Sequence, residues 1–157
     1  MEQASSDDLA VTGKEIVARA RAWIGTPYEH QASCRGAGTD CLGLLRGIWR
    51  ECFGQEPEHV PAYSPDWSEA NDPNELVCAM ARHLAVLEVH SAGPGDVLVM
   101  KMIDRGSAKH LGLLAHSSSG FSTFIHAYSR HGVVESPLTP TWARRIVAAF
   151  RFPYRRL

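Results

Sequence analysis

Residues 36–54 read GAGTDCLGLLRGIWRECFG, and the fold turns on how this stretch is parsed. Leu44, Leu45, Ile48 and Trp49 recur at helical spacing and form one inward stripe. The period begins near Thr39 or Asp40, and Gly54 stops it, so a helix runs from there to about Cys52. Cys41 therefore sits where this helix starts. A sulfur at that point lies near unpaired backbone N–H groups and the positive end of the helix dipole, which favours thiolate over thiol. The bland alternative for Cys41 alone is a buried cysteine acting as a small hydrophobe. Gly36, Gly38 and Gly43 would let a substrate backbone approach closely.

Working outward, residues 13–24 show a second helical period through Ile16, Val17, Ala20, Trp23 and Ile24. Thr12 with Glu15 three residues on is a capping-box signature, and Gly25 and Pro27 end the helix. Residues 25–39 read as a loop of glycine and small residues. Residues 55–75 carry acidic residues but no Lys or Arg and read as an irregular connection, with Tyr63 and Trp67 bordering a groove. A third helix fits 73–89, capped by Asp72, with Leu76, Met80, Leu84 and Leu87 on one side. Ser91-Ala92-Gly93-Pro94-Gly95 breaks the chain. Beyond Asp96, DVLVMKM, HLGLLAHS, STFIHAY, GVVES and RRIVAAFRFP read as four or five strands. Helices first and an antiparallel sheet second is an α+β order.

Composition narrows the function classes. The 157 residues suit a single domain, with 1–11 as a flexible N-terminal segment, and 45% hydrophobic content excludes a disordered chain. Sixteen Lys and Arg against seventeen Asp and Glu argue against broad nucleic-acid binding. No run approaches the ~18 apolar residues that span a bilayer. The opening MEQASSDDLA has no signal-peptide pattern, so synthesis in the cytoplasm is expected. Cys34, Cys41, Cys52 and Cys78 lack close CxxC pairing, and no metal or cofactor is expected. Cys52 and Cys78 read as core, and Cys34 as a loop thiol with a regulatory disulfide as its alternative. Gly36-x-Gly38 lacks the Lys and Ser/Thr of a phosphate loop. The arginine-rich RRIVAAFRFPYRRL reads as an edge strand with a solvated basic face.

A cysteine nucleophile needs a base and a group that orients the base. His110 opens one expected strand and His126 lies within the next. If these strands are antiparallel neighbours, both rings can share one face of the sheet. One nitrogen of His110 would then reach Cys41, and the other would bond to His126, which fixes tautomer and ring direction. Taken singly, each histidine reads as structural. His30, His59, His83, His90, His116 and His131 carry no assigned role, although His30 flanks Tyr28 at the possible substrate groove.

The ordered set TPYEHQ (26–31), GAGTDCLGLLRGIW (36–49), SAGPGDVLVM (91–100), KHLGLLAHS (109–117) and TFIHAY (123–128) resembles the NlpC/P60 superfamily of cell-wall cysteine peptidases. More narrowly it resembles the small phage cell-wall peptidases and their gene-transfer-agent relatives, over about Thr12 to His131. The resemblance implies a papain-like α+β fold with the nucleophile at a helix N-terminus packed on an antiparallel sheet. It implies Cys41 as nucleophile, His110 as base, His126 as third polar residue, Tyr28 beside the oxyanion and Asp40 as a structural cap. Leu42 stands where many members have serine, Leu111 where valine is usual, and Glu29–Ser33 replaces a glycine-rich stretch. The implied reaction is hydrolysis of an amide in the peptide stem of peptidoglycan, typically D-glutamyl to diamino acid, without a cofactor. With no room for a wall-binding module, phage-like tail proteins would carry the enzyme to the periplasm or cell wall, in a virion or gene-transfer-agent tail. The alternatives are a thiol acyltransferase of the same fold and a non-catalytic tail or assembly domain.

Overall fold

The computed structural model describes residues 11–63, 75–106 and 108–153. Helix α1 (Gly13–Ala22) opens with the expected capping box: the Thr12 hydroxyl accepts from the Glu15 N–H at 3.1 Å, and the Glu15 carboxylate accepts from the Thr12 N–H at 2.9 Å. The stretch read as a loop contains a small hairpin, β1 (Ser33–Cys34) and β2 (Gly38–Thr39). Helix α2 (Cys41–Phe53) follows immediately and closes at Gly54. Residues 55–63 run back along α2, held where Trp49 Nε1–H donates to the Gln55 carbonyl at 2.9 Å and where Glu56 pairs with Arg46 and Arg50.

Helix α3 (Glu75–His83) is shorter than its expected span of 73–89. The chain leaves the helix at Leu84 because the next residues find strand partners instead: β3 (Ala85–Leu87) pairs with the C-terminal strand at Ala85↔Arg151, Val86↔Phe150 and Leu87↔Ala149. Leu87 is thus not on the face that buries Leu76 and Met80. The expected cap, Asp72, lies outside the described residues. A 3-10 turn at Val89–Ser91 leads to β4 (Val97–Lys101), β5 (Ala108–His116), β6 (Ser122–Tyr128), β7 (Gly132–Pro137), the one-turn α4 (Pro140–Ala143) and β8 (Ile146–Arg151). The sheet has six strands in the order β3-β8-β4-β5-β6-β7, with every neighbouring pair antiparallel.

Two expectations are corrected by this order. Strand β8 is interior, between β3 and β4, and is not an edge. Its arginine is no solvated ornament: Arg151 makes a bidentate pair with the buried Asp96 at 3.0 and 2.8 Å. Cys52 is buried as expected, but Cys78 is exposed, on the outer side of α3.

Strand alternation divides the apolar residues into two layers. Val97, Val99, Leu111, Leu113, Ile125 and Phe150 face α1 and α2 and pack on Ile16, Leu44 and Ile48. Leu98, Met100, Leu114, Phe124 and Ala149 form a second cluster on the other face, under Trp142 of α4 and Leu138. Helix α2 lies over β5 and β6, which brings its N-terminus to one end of these two strands.

Candidate active site

Asp40 sets the position of Cys41. Its backbone is extended, and its Oδ1 accepts from the Gly43 N–H at 2.7 Å, so helical geometry begins at the cysteine. The hairpin loop presses on this first turn: a Cβ on Gly43 would lie 1.9 Å from the Ala32 carbonyl oxygen and 2.6 Å from Thr39 Oγ1. Only glycine fits there.

The Cys41 thiol donates to the Lys109 carbonyl at a long 3.9 Å. Strand β5 pairs with β4 down to Ala108, but its ladder to β6 runs only from His116↔Ser122 to Leu113↔Ile125. The ladder to β6 ends at Leu113, and the sulfur lies against the backbone of β5 beyond that point. The N–H groups of Leu111, Leu42 and Cys41 also lie against it. Burial nevertheless pushes the thiol up to about 12, the Asp40 charge adds to that, and the three N–H groups pull the other way. The helix start was expected to favour thiolate; the structure reverses this. A helix terminus contributes at most ~2 kcal/mol, whereas a rise of this size corresponds to about 4 kcal/mol. Desolvation wins.

His110 and His126 do share a face of the sheet, the one turned away from α2. His110 Nε2 and His126 Nδ1 are hydrogen-bonded at 2.7 Å, and His126 Nε2 is bonded to Ser136 Oγ at 2.9 Å. Both rings are buried. Burial lowers His110 to about 4; it lowers His126 to about 3, with the neighbouring His110 and His131 adding to the effect. Aromatic rings enclose the pair: Phe124 is 4.0 Å from the His126 centroid, and Trp142 is 6.0 Å from that of His110. At neutral pH the thiol and both imidazoles are therefore uncharged.

The remaining expected residues form the cleft over Cys41, a space of about 40 Å³. Tyr28 is fixed beside β2 by hydrogen bonds from Glu29 N–H to the Thr39 carbonyl and from Thr39 N–H to the Pro27 carbonyl, both 3.0 Å. Burial, with the charges of Cys41 and Asp40, pushes its phenol up to about 12, so it stays a hydrogen-bond donor. Opposite it, Tyr63 donates its hydroxyl to Asp40 Oδ2, and its carbonyl accepts from His30 Nε2–H at 2.7 Å and from the Gln31 side-chain amide. Asp40 Oδ2 also accepts from the Gln31 N–H at 2.8 Å. Leu42 separates this cleft from a larger, mainly apolar cavity of about 220 Å³ lined by Leu45, Trp49, Pro61 and Met80. Trp67 lies outside the described residues.

Sequence reasoning missed Ser136, Trp142 and the Asp40–Tyr63 contact, all of which depend on segments meeting across the fold. Among the described residues no group of three or more His, Cys, Asp or Glu could hold a metal ion, and no helix is long and apolar enough to cross a membrane.

No family model and no curated protein sequence matches the chain. Solved structures do. An NlpC/P60 family protein from Bacillus cereus ATCC 10987 aligns with 98% of this chain and 44% of its own, at TM-score 0.62 and 19% identity, so the chain spans under half of that protein. The NlpC/p60 domain of peptidoglycan hydrolase SagA aligns with 90% of this chain and 100% of its own, at TM-score 0.59 and 20% identity. An N-acetylmuramoyl-L-alanine amidase from Bacteroides uniformis ATCC 8492 covers 88% and 98%, at TM-score 0.51 and 14% identity. What is shared at these identities is architecture: the chain has the α+β, papain-like NlpC/P60 fold.

Proposed function

We propose that the chain is a cysteine peptidase of the NlpC/P60 superfamily that hydrolyses an amide bond in the peptide stem of peptidoglycan. The observation that carries this reading is a thiol at a helix N-terminus, beside the strand whose His110 is hydrogen-bonded to the buried His126 of the next strand. Solved proteins of this fold include a peptidoglycan hydrolase and an N-acetylmuramoyl-L-alanine amidase, which supports the substrate class. The ordered motifs around Cys41, His110 and His126 support a D-glutamyl to diamino acid bond, and a phage-like or gene-transfer-agent tail as the carrier to the cell wall.

The mechanism starts from a neutral pair. His110 Nε2 is engaged by His126, so Nδ1 is the nitrogen that must take the thiol proton; Sγ rests on the Lys109 carbonyl, one residue before His110 on β5. As substrate enters, the Cys41 Sγ–H turns from the Lys109 carbonyl and passes its proton to Nδ1. Thiolate and imidazolium form together, so each charge offsets the cost of burying the other. The thiolate attacks the amide carbon, and the oxyanion accepts from the Cys41 backbone N–H and the Tyr28 hydroxyl. Imidazolium His110 then protonates the leaving amine, giving a thioester. Water, deprotonated by His110, releases the acid and restores the thiol.

Digestion of purified peptidoglycan, with mass analysis of the fragments, tests this. Wild type should release stem fragments whose masses name the bond. Cys41→Ala, with its circular dichroism spectrum unchanged, should be slower by ~1000-fold or more. Equal activity in the two proteins would remove Cys41 as nucleophile. No fragment release by wild type, joined to an unreactive Cys41, is the result expected of a non-catalytic domain. Product that forms only when an amine acceptor is added would instead mark an acyltransferase.

A further inference from the structure

We infer that Ser136 is a positioning residue, whose hydroxyl holds His126 in the tautomer that keeps a lone pair on His110 Nδ1. This rests on the reading of Cys41 and His110 as nucleophile and base.

The contact follows from register. Across β6 and β7, His126 faces Val134 and Phe124 faces Ser136, so Ser136 is the diagonal neighbour of His126 on the same face. Three side chains on three successive strands thus form one line: His110 Nε2 to His126 Nδ1 at 2.7 Å, then His126 Nε2 to Ser136 Oγ at 2.9 Å. A neutral imidazole carries one N–H and one lone pair. Only two arrangements then complete both bonds.

In the first, His126 Nε2–H donates to Ser136 Oγ, His110 Nε2–H donates to His126 Nδ1, and His110 Nδ1 is a lone pair. In the second, the Ser136 O–H donates to His126 Nε2, His126 Nδ1–H donates to His110 Nε2, and His110 Nδ1 carries the proton. The second cannot accept a proton from Cys41. The first needs no rearrangement when His110 becomes imidazolium, because its Nε2–H still donates to His126 Nδ1. The polarity of the line is therefore set at its outer end, by whether residue 136 accepts. The His126 ring otherwise lies among the rings of Phe124, Tyr128 and Trp142. Ser136 is half-buried, so its hydroxyl hydrogen can turn to water while its oxygen accepts.

Two measurements on the full chain test this, one without turnover. Nitrogen-15 spectra of histidine-labelled protein at pH 7 read the tautomers directly. Wild type should show His110 and His126 both protonated at Nε2, and Ser136→Ala should move both toward Nδ1–H. In peptidoglycan digestion Ser136→Ala should lower kcat by about tenfold to a hundredfold, by analogy with removal of the hydrogen-bond partner that orients a metal-bound imidazole. KM should hardly change, and Ser136→Thr, which keeps the acceptor, should recover kcat to within severalfold. A wild-type His110 protonated at Nδ1 would overturn the proposal, as would tautomers and kcat indifferent to Ser136→Ala in a folded variant. Failure of the peptidase reading would show differently, as activity that survives Cys41→Ala, and would leave the tautomer measurement intact.

Discussion

Asp40 joins three pieces of chain through one buried carboxylate. Oδ1 caps α2, while Oδ2 accepts from the Gln31 N–H and the Tyr63 hydroxyl. The last two contacts pin the loop before the hairpin and the segment after α2 to opposite sides of the Cys41 cleft. Losing a cap costs ~1 kcal/mol, and each hydrogen bond to a charged group ~1.5–3 kcal/mol. Because these contacts share one carboxylate they do not add in full, and Asp40→Ala should destabilise by about 2–4 kcal/mol in urea unfolding, with Asp40→Asn, which keeps one acceptor oxygen for the cap, destabilising by less. Equal losses in the two variants would mean that the single amide oxygen of asparagine does not keep the cap. Asp40 was legible as a cap because it precedes an apolar-periodic run; its hold on Tyr63 was not, because 23 positions separate the two.

At the scale of elements, α1 and α2 meet closely because α2 carries a glycine at the crossing. A Cβ on Gly47 would lie 2.1 and 2.3 Å from two carbons of the Trp23 ring. That ring cannot easily yield, since Trp23 is buried and its Nε1–H donates to Glu51 at 2.7 Å. Gly47→Ala gains ~1 kcal/mol of helix propensity but meets an overpacking cost of ~1–3 kcal/mol or more. With contacts this short the cost wins, and net destabilisation of about 1–2 kcal/mol is expected in thermal or urea unfolding. A stabilised Gly47→Ala would show that the helices can shift apart. Elements whose own residues carry the pattern were legible: STFIHAY is β6 over the expected residues, and the Thr12–Glu15 box starts α1. Helix α3 was overextended because the Leu84–Leu87 stretch continues a helical period locally, while β8, over 60 residues later, supplies backbone partners that no local pattern records.

For the whole molecule, burial of two neutral histidines ties stability to pH. Unfolded, each takes a proton near 6.5; folded, His110 does so only near 4 and His126 near 3. Between about pH 6.5 and 4 the unfolded chain binds more protons, so stability rises with pH and is lost as acid is added. The slope is about 1.4 kcal/mol per pH unit for each ring. Urea unfolding at pH 7.5, 6 and 5 should show it, and His126→Asn should reduce it by about half; a flat profile would mean that water reaches the rings. The opposite sign applies in base. Cys41 and Tyr28, both held to about 12, keep protons that the unfolded chain has shed, so stability falls as pH rises past about 9.

Sequence alone determined the order of α1 to α3 and of strands β4 to β8, the apolar faces of the helices, the start of α2 at Cys41 and the alternation along β5 and β6, whose antiparallel pairing then puts His110 and His126 on one face. These are local properties, written in periods of 3.6 and 2 and in capping residues. Tertiary structure alone decided that β8 is interior, that the β5–β6 ladder ends at Leu113, that Tyr63 closes onto Asp40 and that Ser136 ends the histidine line. It also decided the charge state. Near four cysteines and sixteen basic residues the composition is silent on protonation, and the helix start pointed to a thiolate. Burial, a property of the whole fold, keeps thiol and imidazoles neutral because removing water from a charge costs more than a helix terminus returns.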